Sequence, residues 1–338
     1  MTKLRVGIVG CGGRSYGHME AVDAHEGLEV VAGADMDGER LARFRKRYDR
    51  KTYADGVELI QKERPDVAAI CTREHARYGL TMAALDAGVR GIVLEKPMAR
   101  TVDEAREMAR KAQEKGAILA VCHQMRFSDE FVAARDAIRR GLIGRPYYIR
   151  ASSFGHLMEQ GPHMVDMVLW LAGDPDVDWV MGQVTDVEEG RGTVHPAPAF
   201  VVGYVAFKNG VRAVLECGRR FQRAVGLEEV TWLQKRTQVL GTEGMVDAVV
   251  GHHCRLMNAK GGGWQTLALG QDGWDRATIQ FYAELYDVMT RGGEHRNNGR
   301  ASLRGFEIVH AIYQSALTRD RAGVPLPEGA GPLEEIMK

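Results

Sequence analysis

Short apolar runs alternate with helix-length amphipathic segments at the start of the chain. LRVGIVG, LEVVAGAD, DVAAIC, GIVLE and AILAVC are rich in aliphatic residues and bounded by glycine or charge, which is the pattern of strands buried on both faces of a parallel sheet. The intervening segments are long enough for helices, with a weaker pattern near residue 55. Such alternation predicts a doubly wound parallel sheet with right-handed crossovers. The texture changes near residue 124 and turns antiparallel after residue 145: VVGYVAFKNGVRAVLECG holds two strand patterns around Asn209-Gly210, the pair that suits a type I′ hairpin. Helical patterns follow near 275–291 and 302–318, and AGVPLPEGAGP is too rich in Pro and Gly for more than extended chain. The expected architecture is α/β plus α+β. Residues 1–124 form the parallel, doubly wound domain, and residues 125–338 form an open, mostly antiparallel sheet flanked by helices.

Composition narrows the function. The 338 residues carry 45 Lys plus Arg against 45 Asp plus Glu, so no net field recruits nucleic acid or an anionic membrane, and a small-molecule ligand is the expected partner. No stretch approaches the ~20 apolar residues of a membrane span, and MTKLRVGIVG runs into glycines rather than a signal-peptide cleavage site. Five cysteines, Cys11, Cys71, Cys122, Cys217 and Cys254, are scattered mostly in apolar runs, as free thiols are in a reducing compartment. The expected location is cytoplasmic. GHHCRL at 251–256 does not read as a zinc site, because adjacent residues of a strand alternate faces and no second ligand pair follows; no metal is expected.

The first chemical motif is GIVGCGGRS. Gly10 suits the tight turn from strand to helix, Gly12 lets backbone approach a pyrophosphate at the helix N-terminus, and Ser15 stands at the third, small position, with Gly13 giving extra room. Glycines alone make an ordinary turn equally well. Here they follow a strand and open a helix, and Asp35 ends the next strand, where a carboxylate accepts hydrogen bonds from a ribose and repels a 2′-phosphate. This selects NAD over NADP. Asp35 is also placed to cap the helix that begins near Gly38.

The second motif is Glu95-Lys96-Pro97, where GIVL ends. Ligands bind at that edge of an α/β sheet, and Pro97 restricts Lys96 to extended backbone. A lysine beside a nicotinamide ring can donate to a substrate oxygen as hydride leaves carbon; the plainer alternative is a solvated strand end. The third motif is MEQGPHMVDMVLWLAG. Pro162 suits a first helical turn, Met164, Met167, Val168 and Leu171 keep helical spacing, and Gly173 is a stop. His163 and Asp166 are three apart and share a face, so Asp166 can orient the imidazole.

Together the glycine turn, Asp35, Glu95-Lys96-Pro97, VCHQMRFSDEF, GPHMVDMVLWLAGDP and the change to an antiparallel domain resemble the glucose-fructose oxidoreductase and inositol dehydrogenase family (Gfo/Idh/MocA) over nearly the whole chain. The resemblance implies a Rossmann domain and hydride transfer between NAD and a secondary hydroxyl of a sugar, sugar derivative or cyclitol. It makes Lys96 and His163 the catalytic pair, with their roles toward the shared oxygen interchangeable. The cofactor set it implies is Gly10, Gly12, Gly13, Arg14, Ser15, Asp35, Met36, Thr72, Arg73, His75, Glu95, Lys96 and His123. The substrate set is Lys96, Arg126, His156, Glu159 and His163.

Two departures stand out. Arg73 follows Thr72 where relatives have proline, and Arg77 takes the place of a histidine, leaving His75 as a substitute. The interval before His163 is short, which implies a more open pocket or one completed by another subunit, and His156 within it faces either substrate or solvent. Two other functions share the scaffold: glycoside cleavage through a transient keto-sugar, and a non-enzymatic NAD or sugar sensor. An uncovered apolar sheet face implies a homodimer or homotetramer.

Overall fold

The computed structural model describes residues 3–185, 187–188, 197–218, 235–269 and 273–336. They divide into two compact units, Met1–Gln124 with Asp275–Leu303, and Met125–Trp274 with Arg304–Lys338. A continuous second domain over 125–338 therefore needs one correction, the return of Asp275–Leu303 to the first unit. The contacts explain it: Tyr282 and Phe281 are fully buried there, and the backbone N–H of Val121 donates to Asn297 O.

In the first unit the elements are β1 (Leu4–Val9), α1 (Ser15–Asp23), β2 (Leu28–Ala34), α2 (Gly38–Tyr48), β3 (Lys51–Tyr53), α3 (Gly56–Glu63), β4 (Val67–Ile70), α4 (Glu74–Asp86), β5 (Gly91–Leu94), α5 (Val102–Glu114) and β6 (Ile118–Val121). The six strands are parallel in the order β3-β2-β1-β4-β5-β6. This is the doubly wound order whose switch point lies between β1 and β4. Every residue of β4 and β5 is buried, which accounts for their unbroken apolar runs. Helix starts follow local chemistry: Asp37 caps α2 by accepting from Glu39 N and Arg40 N, and Thr101 with Glu104 forms a capping box on α5. The cap of α2 is thus Asp37, not Asp35.

The second unit holds α6 (Asp129–Arg139), β7 (Pro146–Phe154), α7 (Gly161–Ala172), β8 (Val177–Val184), β9 (Val187–Glu188), β10 (Ala197–Pro198), β11 (Phe200–Phe207), β12 (Arg212–Gly218), β13 (Arg236–Gly241), β14 (Gly244–Val249), β15 (His253–Asn258) and β16 (Gly263–Thr266). After them come α8 (Gly273–Arg291), most of which packs in the first unit, α9 (Gly299–Thr318), which ends in the second, and α10 (Pro332–Ile336). Eight strands pair in the order β16-β15-β14-β13-β7-β12-β11-β8, antiparallel except for β7 with β12. The β11–β12 hairpin is not type I′: Gly210 N donates to Phe207 O and only Gly210, at φ +90, is left-handed, so Lys208 and Asn209 form a type I turn closed by a glycine bulge. Asn209 Oδ1 accepts from Val211 N instead. Helix α7 is buried nearly all round, begins at Gly161 with Pro162 in its first turn and stops at Gly173 with φ +95.

Candidate active site

In the first unit the candidate residues follow strand C-termini: Gly10 to Ser15 after β1, Asp35 and Met36 after β2, Thr72 after β4, Glu95 and Lys96 after β5, and His123 after β6. Asp35 Oδ2 accepts from Cys11 N at 2.8 Å and Oδ1 from Asp37 N at 2.9 Å, and Arg40 Nη1 stands 3.5 Å from Oδ2. The carboxylate is therefore held in place by backbone before any ligand arrives.

Glu95 is the hub of this edge. It is buried, its Oε1 accepts from Arg14 Nε at 2.5 Å and from His18 Nε2 at 2.9 Å, and its Oε2 accepts from the backbone N–H of Lys96 at 3.2 Å. Burial pushes the carboxyl upward, but the His18 hydrogen bond and the charges of Arg14 and Lys96 outweigh it and hold the group well below the usual carboxylate range. The carboxylate, His18 and Cys122 would offer metal ligands within 4.8 Å of one another, yet the Arg14 guanidinium already neutralises Glu95 and reaches Cys122 Sγ at 3.9 Å. Burial pushes the Cys122 thiol up to about 12, so it stays protonated and a poor ligand. On the other side of Lys96, Arg77 Nη1 donates to Pro97 O, while its Nε and Nη2 donate to Thr72 O at 3.0 and 2.6 Å. The turn that carries Lys96 is thus held through Glu95 before it and Arg77 after it.

In the second unit His163 is buried in the first turn of α7, and Glu159 lies half-buried just before it. Asp166, one turn on, receives Arg126: Nε lies 3.1 and 3.0 Å from its two oxygens and Nη2 2.8 Å from Oδ1. Arg126 Nη2 also reaches Asp174 Oδ1 at 3.0 Å. The buried Lys235 donates to Gln160 Oε1 at 3.0 Å, at the residue preceding α7.

Residues 4–123 match the model described as oxidoreductase family, NAD-binding Rossmann fold, and residues 152–247 match the GFO/IDH/MocA C-terminal domain. The chain belongs to the Gfo/Idh/MocA family. This Gfo/Idh/MocA protein is an NAD-binding oxidoreductase. It is 25% identical to D-apiose dehydrogenase of Paraburkholderia graminis, over 93% of this chain and 88% of that protein. With rhizopine catabolism protein MocA of Rhizobium meliloti it shares 28% identity, over 73% of this chain and 79% of the other. Among solved structures, levoglucosan dehydrogenase in complex with NADH and L-sorbose has the same fold, with a TM-score of 0.86 at 21% identity over 97% of this chain and 100% of that one.

The strand ends of this family member fit the dinucleotide. Gly10 has φ +91, and a Cβ there would lie 3.0 Å from Thr72 N, so only glycine makes this turn. A Cβ at Gly12 would meet only the Arg40 guanidinium, nearest at 3.6 Å, and one at Gly13 nothing within 4 Å, which leaves the backbone open for a pyrophosphate. The buried Thr72 hydroxyl has no hydrogen-bond partner among the described residues. Met36 is 94% exposed beside Asp35, as a side chain that packs on an adenine would be.

Several assignments change. Glu95 is not a cofactor-facing carboxylate, because both its oxygens accept from protein donors. Ser15 is buried with its hydroxyl donated to Gly12 O at 2.6 Å, so it shapes the turn. His75 and Arg73 are exposed around the start of α4, whereas Arg77 points inward as the clamp on Thr72 and Pro97; Arg77 does not leave a gap for His75 to fill. Arg126 is not a free substrate ligand, since its guanidinium is buried against Asp166 and Asp174. By the same contacts Asp166 serves Arg126 rather than standing as a dedicated partner of His163. His156 is buried, with Nδ1 3.3 Å from Pro198 O, which removes the solvent-facing alternative. His123 is buried after β6, its backbone N–H given to Val121 O. Sequence reasoning missed His18, although it lies four residues after Arg14 and so on the same face of α1. It also missed Tyr282, 264 residues from His18 and bonded to it.

Proposed function

We propose that this protein oxidises a secondary hydroxyl of a sugar, sugar derivative or cyclitol, with Lys96 of the first unit and His163 of the second handling the proton. The observation that carries the reading is the Lys96 turn, fixed by Glu95 and Arg77 at the sheet edge where Asp35 and the glycine turn fit NAD. Bound NAD⁺ supplies the hydride acceptor. Lys96 Nζ donates a hydrogen bond to the substrate oxygen and steadies its developing negative charge, and an imidazole nitrogen of His163 takes the hydroxyl proton. Glu159 and His156 line the approach to His163 as substrate contacts. Asp35 excludes a 2′-phosphate and selects NAD.

The named relatives, a D-apiose dehydrogenase and a rhizopine catabolism protein among them, support a carbohydrate or cyclitol. The experiment is a screen of sugars, cyclitols and sugar acids with NAD⁺ and NADP⁺, following absorbance of the reduced nicotinamide. Reduction by at least one polyol with NAD⁺ is expected. Cleavage of a chromogenic glycoside without net NADH accumulation would replace this reading by transient oxidation, and failure of every polyol would leave a sensor.

The same reading places the enzyme in the cytoplasm as a homo-oligomer. No helix among the described residues is long and apolar enough to cross a membrane, and all five cysteines are free. One face of the eight-stranded sheet carries Trp179, Met181, Val202, Tyr204 and Leu240, none of them buried, and a second copy covers such a face well. Light scattering is expected to give a dimer or tetramer; a stable monomer at dilute concentration removes this part of the reading.

A further inference from the structure

The Glu95 hub extends one residue further than the cofactor edge, to a side chain from a helix far along the chain. His18 is fully buried on α1, with Nε2 2.9 Å from Glu95 Oε1 and Nδ1 2.9 Å from the hydroxyl of Tyr282 on α8, itself fully buried. An ionised carboxylate only accepts hydrogen bonds, so Nε2 must carry a proton. With a single proton on the ring, Nδ1 is then an acceptor, and the group that donates to it among the described residues is the Tyr282 hydroxyl. The order of donation is fixed: Tyr282 to His18, His18 to Glu95, with Arg14 and the Lys96 backbone N–H donating to the same carboxylate.

We propose that Tyr282 is a positioning residue for the oxidoreductase reaction. Its hydroxyl donates to Nδ1 and holds the His18 ring in the plane that points Nε2–H at Glu95, and His18 in turn keeps the Glu95 carboxylate oriented toward both the Arg14 side chain of the glycine turn and the backbone of Lys96. The proposal rests on the assignment of Lys96 to proton handling made above. Physically it is a buried polar chain in which every member is satisfied only in one arrangement, and such chains fix geometry more than they add stability. Without the hydroxyl, the ionised carboxylate still keeps the proton on Nε2, but Nδ1 loses its donor and the ring is free to turn out of line with Glu95. Glu95 would shift as that hydrogen bond weakens and carry the start of the Lys96 turn with it. The phenyl ring of Tyr282 has a separate task, packing edge-on against Phe281 at 5.7 Å, which Tyr282→Phe preserves.

The test uses the full-length protein, ¹⁵N-labelled, and the polyol with the highest kcat/KM in the screen. Long-range ¹H–¹⁵N spectra at neutral pH, with His18 assigned by loss of its signals in His18→Gln, are expected to show the Nε2–H tautomer in the wild type. Tyr282→Phe should keep the proton on Nε2 but shift its ¹H resonance upfield, as a weakened hydrogen bond to Glu95 does. Its kcat should fall about tenfold with KM for the polyol unchanged, the scale of a lost orienting contact behind a reacting group. His18→Gln, whose amide can still donate to Glu95, should retain more kcat than His18→Ala. A Tyr282→Phe enzyme with wild-type kcat, a kcat loss with the Nε2–H resonance unmoved, or a doubly protonated His18 in the wild type overturns the proposal. If Tyr282→Phe does not fold, equal kcat in His18→Gln and His18→Ala overturns it and the expected difference supports it. Lys96→Ala, assayed beside them, separates the two ideas: an unchanged rate there removes Lys96 from the chemistry, whereas a loss there with wild-type behaviour in Tyr282→Phe removes only Tyr282.

Discussion

Two stretches of this molecule look alike on paper and are built differently. At the end of β5, Lys96 directly follows a buried carboxylate; in α7, His163 stands one helical turn before another. Each carboxylate is paired with an arginine. In the first unit the pairing is distributed: Glu95 takes one side-chain donor from Arg14, one from His18 and the backbone N–H of the lysine itself. In the second it is concentrated, for Asp166 receives Arg126 through both its oxygens, and Asp174 takes what Arg126 has left. A distributed carboxylate transmits position to its neighbours. A concentrated one stabilises the helix that carries the histidine and says little about the direction of the imidazole.

The largest effect that would break this contrast is expected at Lys96. Removing a group that stabilises or moves a proton costs about 10²- to 10⁴-fold, so Lys96→Ala should lower the single-turnover rate of NAD⁺ reduction by that range. Stopped-flow measurement with a turned-over polyol checks it. A wild-type rate would mean that the distributed network positions nothing chemical.

Next in size is the difference between the two arginine pairs. Arg126 and Asp166 are each 2% exposed, and removing one partner of a buried pair leaves a charge stranded, at a cost of about 3–5 kcal/mol. Arg126→Ala should therefore lose that much stability in urea unfolding. Glu95→Gln should lose less, because the Arg14 side chain is 42% exposed and can turn to water, while a glutamine still accepts from His18. If Arg126→Ala instead keeps its stability and raises only KM for the polyol, Arg126 touches substrate after all.

Acid sharpens the comparison from another direction. Burial of His310 in the second unit pushes its pKa down from 6.5 to about 4, and neither ring nitrogen has a partner among the described residues. The unfolded chain binds this proton first, so stability is lost as pH falls from about 6.5 toward 4, by about 3 kcal/mol in all. His253 is also lowered, chiefly by burial, and adds to the slope. Glu95, held well below the carboxylate range, contributes stability that is present above its unfolded pKa and is lost only as pH falls further. The second unit should thus loosen in milder acid than the Glu95 hub. Unfolding titrations of His310→Leu should show a flatter acid limb; an unchanged limb would place the slope elsewhere.

The same contrast explains what was legible in the sequence. Strands such as GIVL could be read because burial on both faces demands an unbroken apolar run, and the glycine turn because a φ of +91 at Gly10 admits no other residue. The end of β5 was legible as a place for chemistry, since the residues that leave a parallel strand go to the ligand edge. What Glu95 does there was not, because Tyr282 lies 264 residues from His18 and no local pattern encodes such a contact. Arg126 shows the opposite error: a basic residue leaving the last parallel strand reads as a substrate ligand, and its partner Asp166, 40 residues on, reads as a partner for His163. Spacing along a helix says which side chains share a face, not which acceptor a guanidinium from another segment will fill. Arg77 likewise reads as a loss of histidine and proves to be a clamp on Thr72 and Pro97.

The smallest effect is expected at a third carboxylate, Asp35 at the end of β2, which tests whether a carboxylate hydrogen-bonded by backbone behaves like Glu95. Its oxygens accept from Cys11 N and Asp37 N, and Arg40 stands 3.5 Å away. Asp35→Ser keeps a short acceptor for the turn and removes the charge that repels a 2′-phosphate, leaving the Arg40 guanidinium, 46% exposed, to attract one. The kcat/KM ratio of NADP⁺ to NAD⁺ should rise about tenfold, the worth of roughly 1.4 kcal/mol, with single-turnover hydride transfer from the saturated NAD⁺ complex little changed. Should that rate fall as far as in Lys96→Ala, Asp35 would be transmitting position through the glycine turn, and the distinction between a carboxylate that orients the reacting lysine and one that only selects the cofactor would fail.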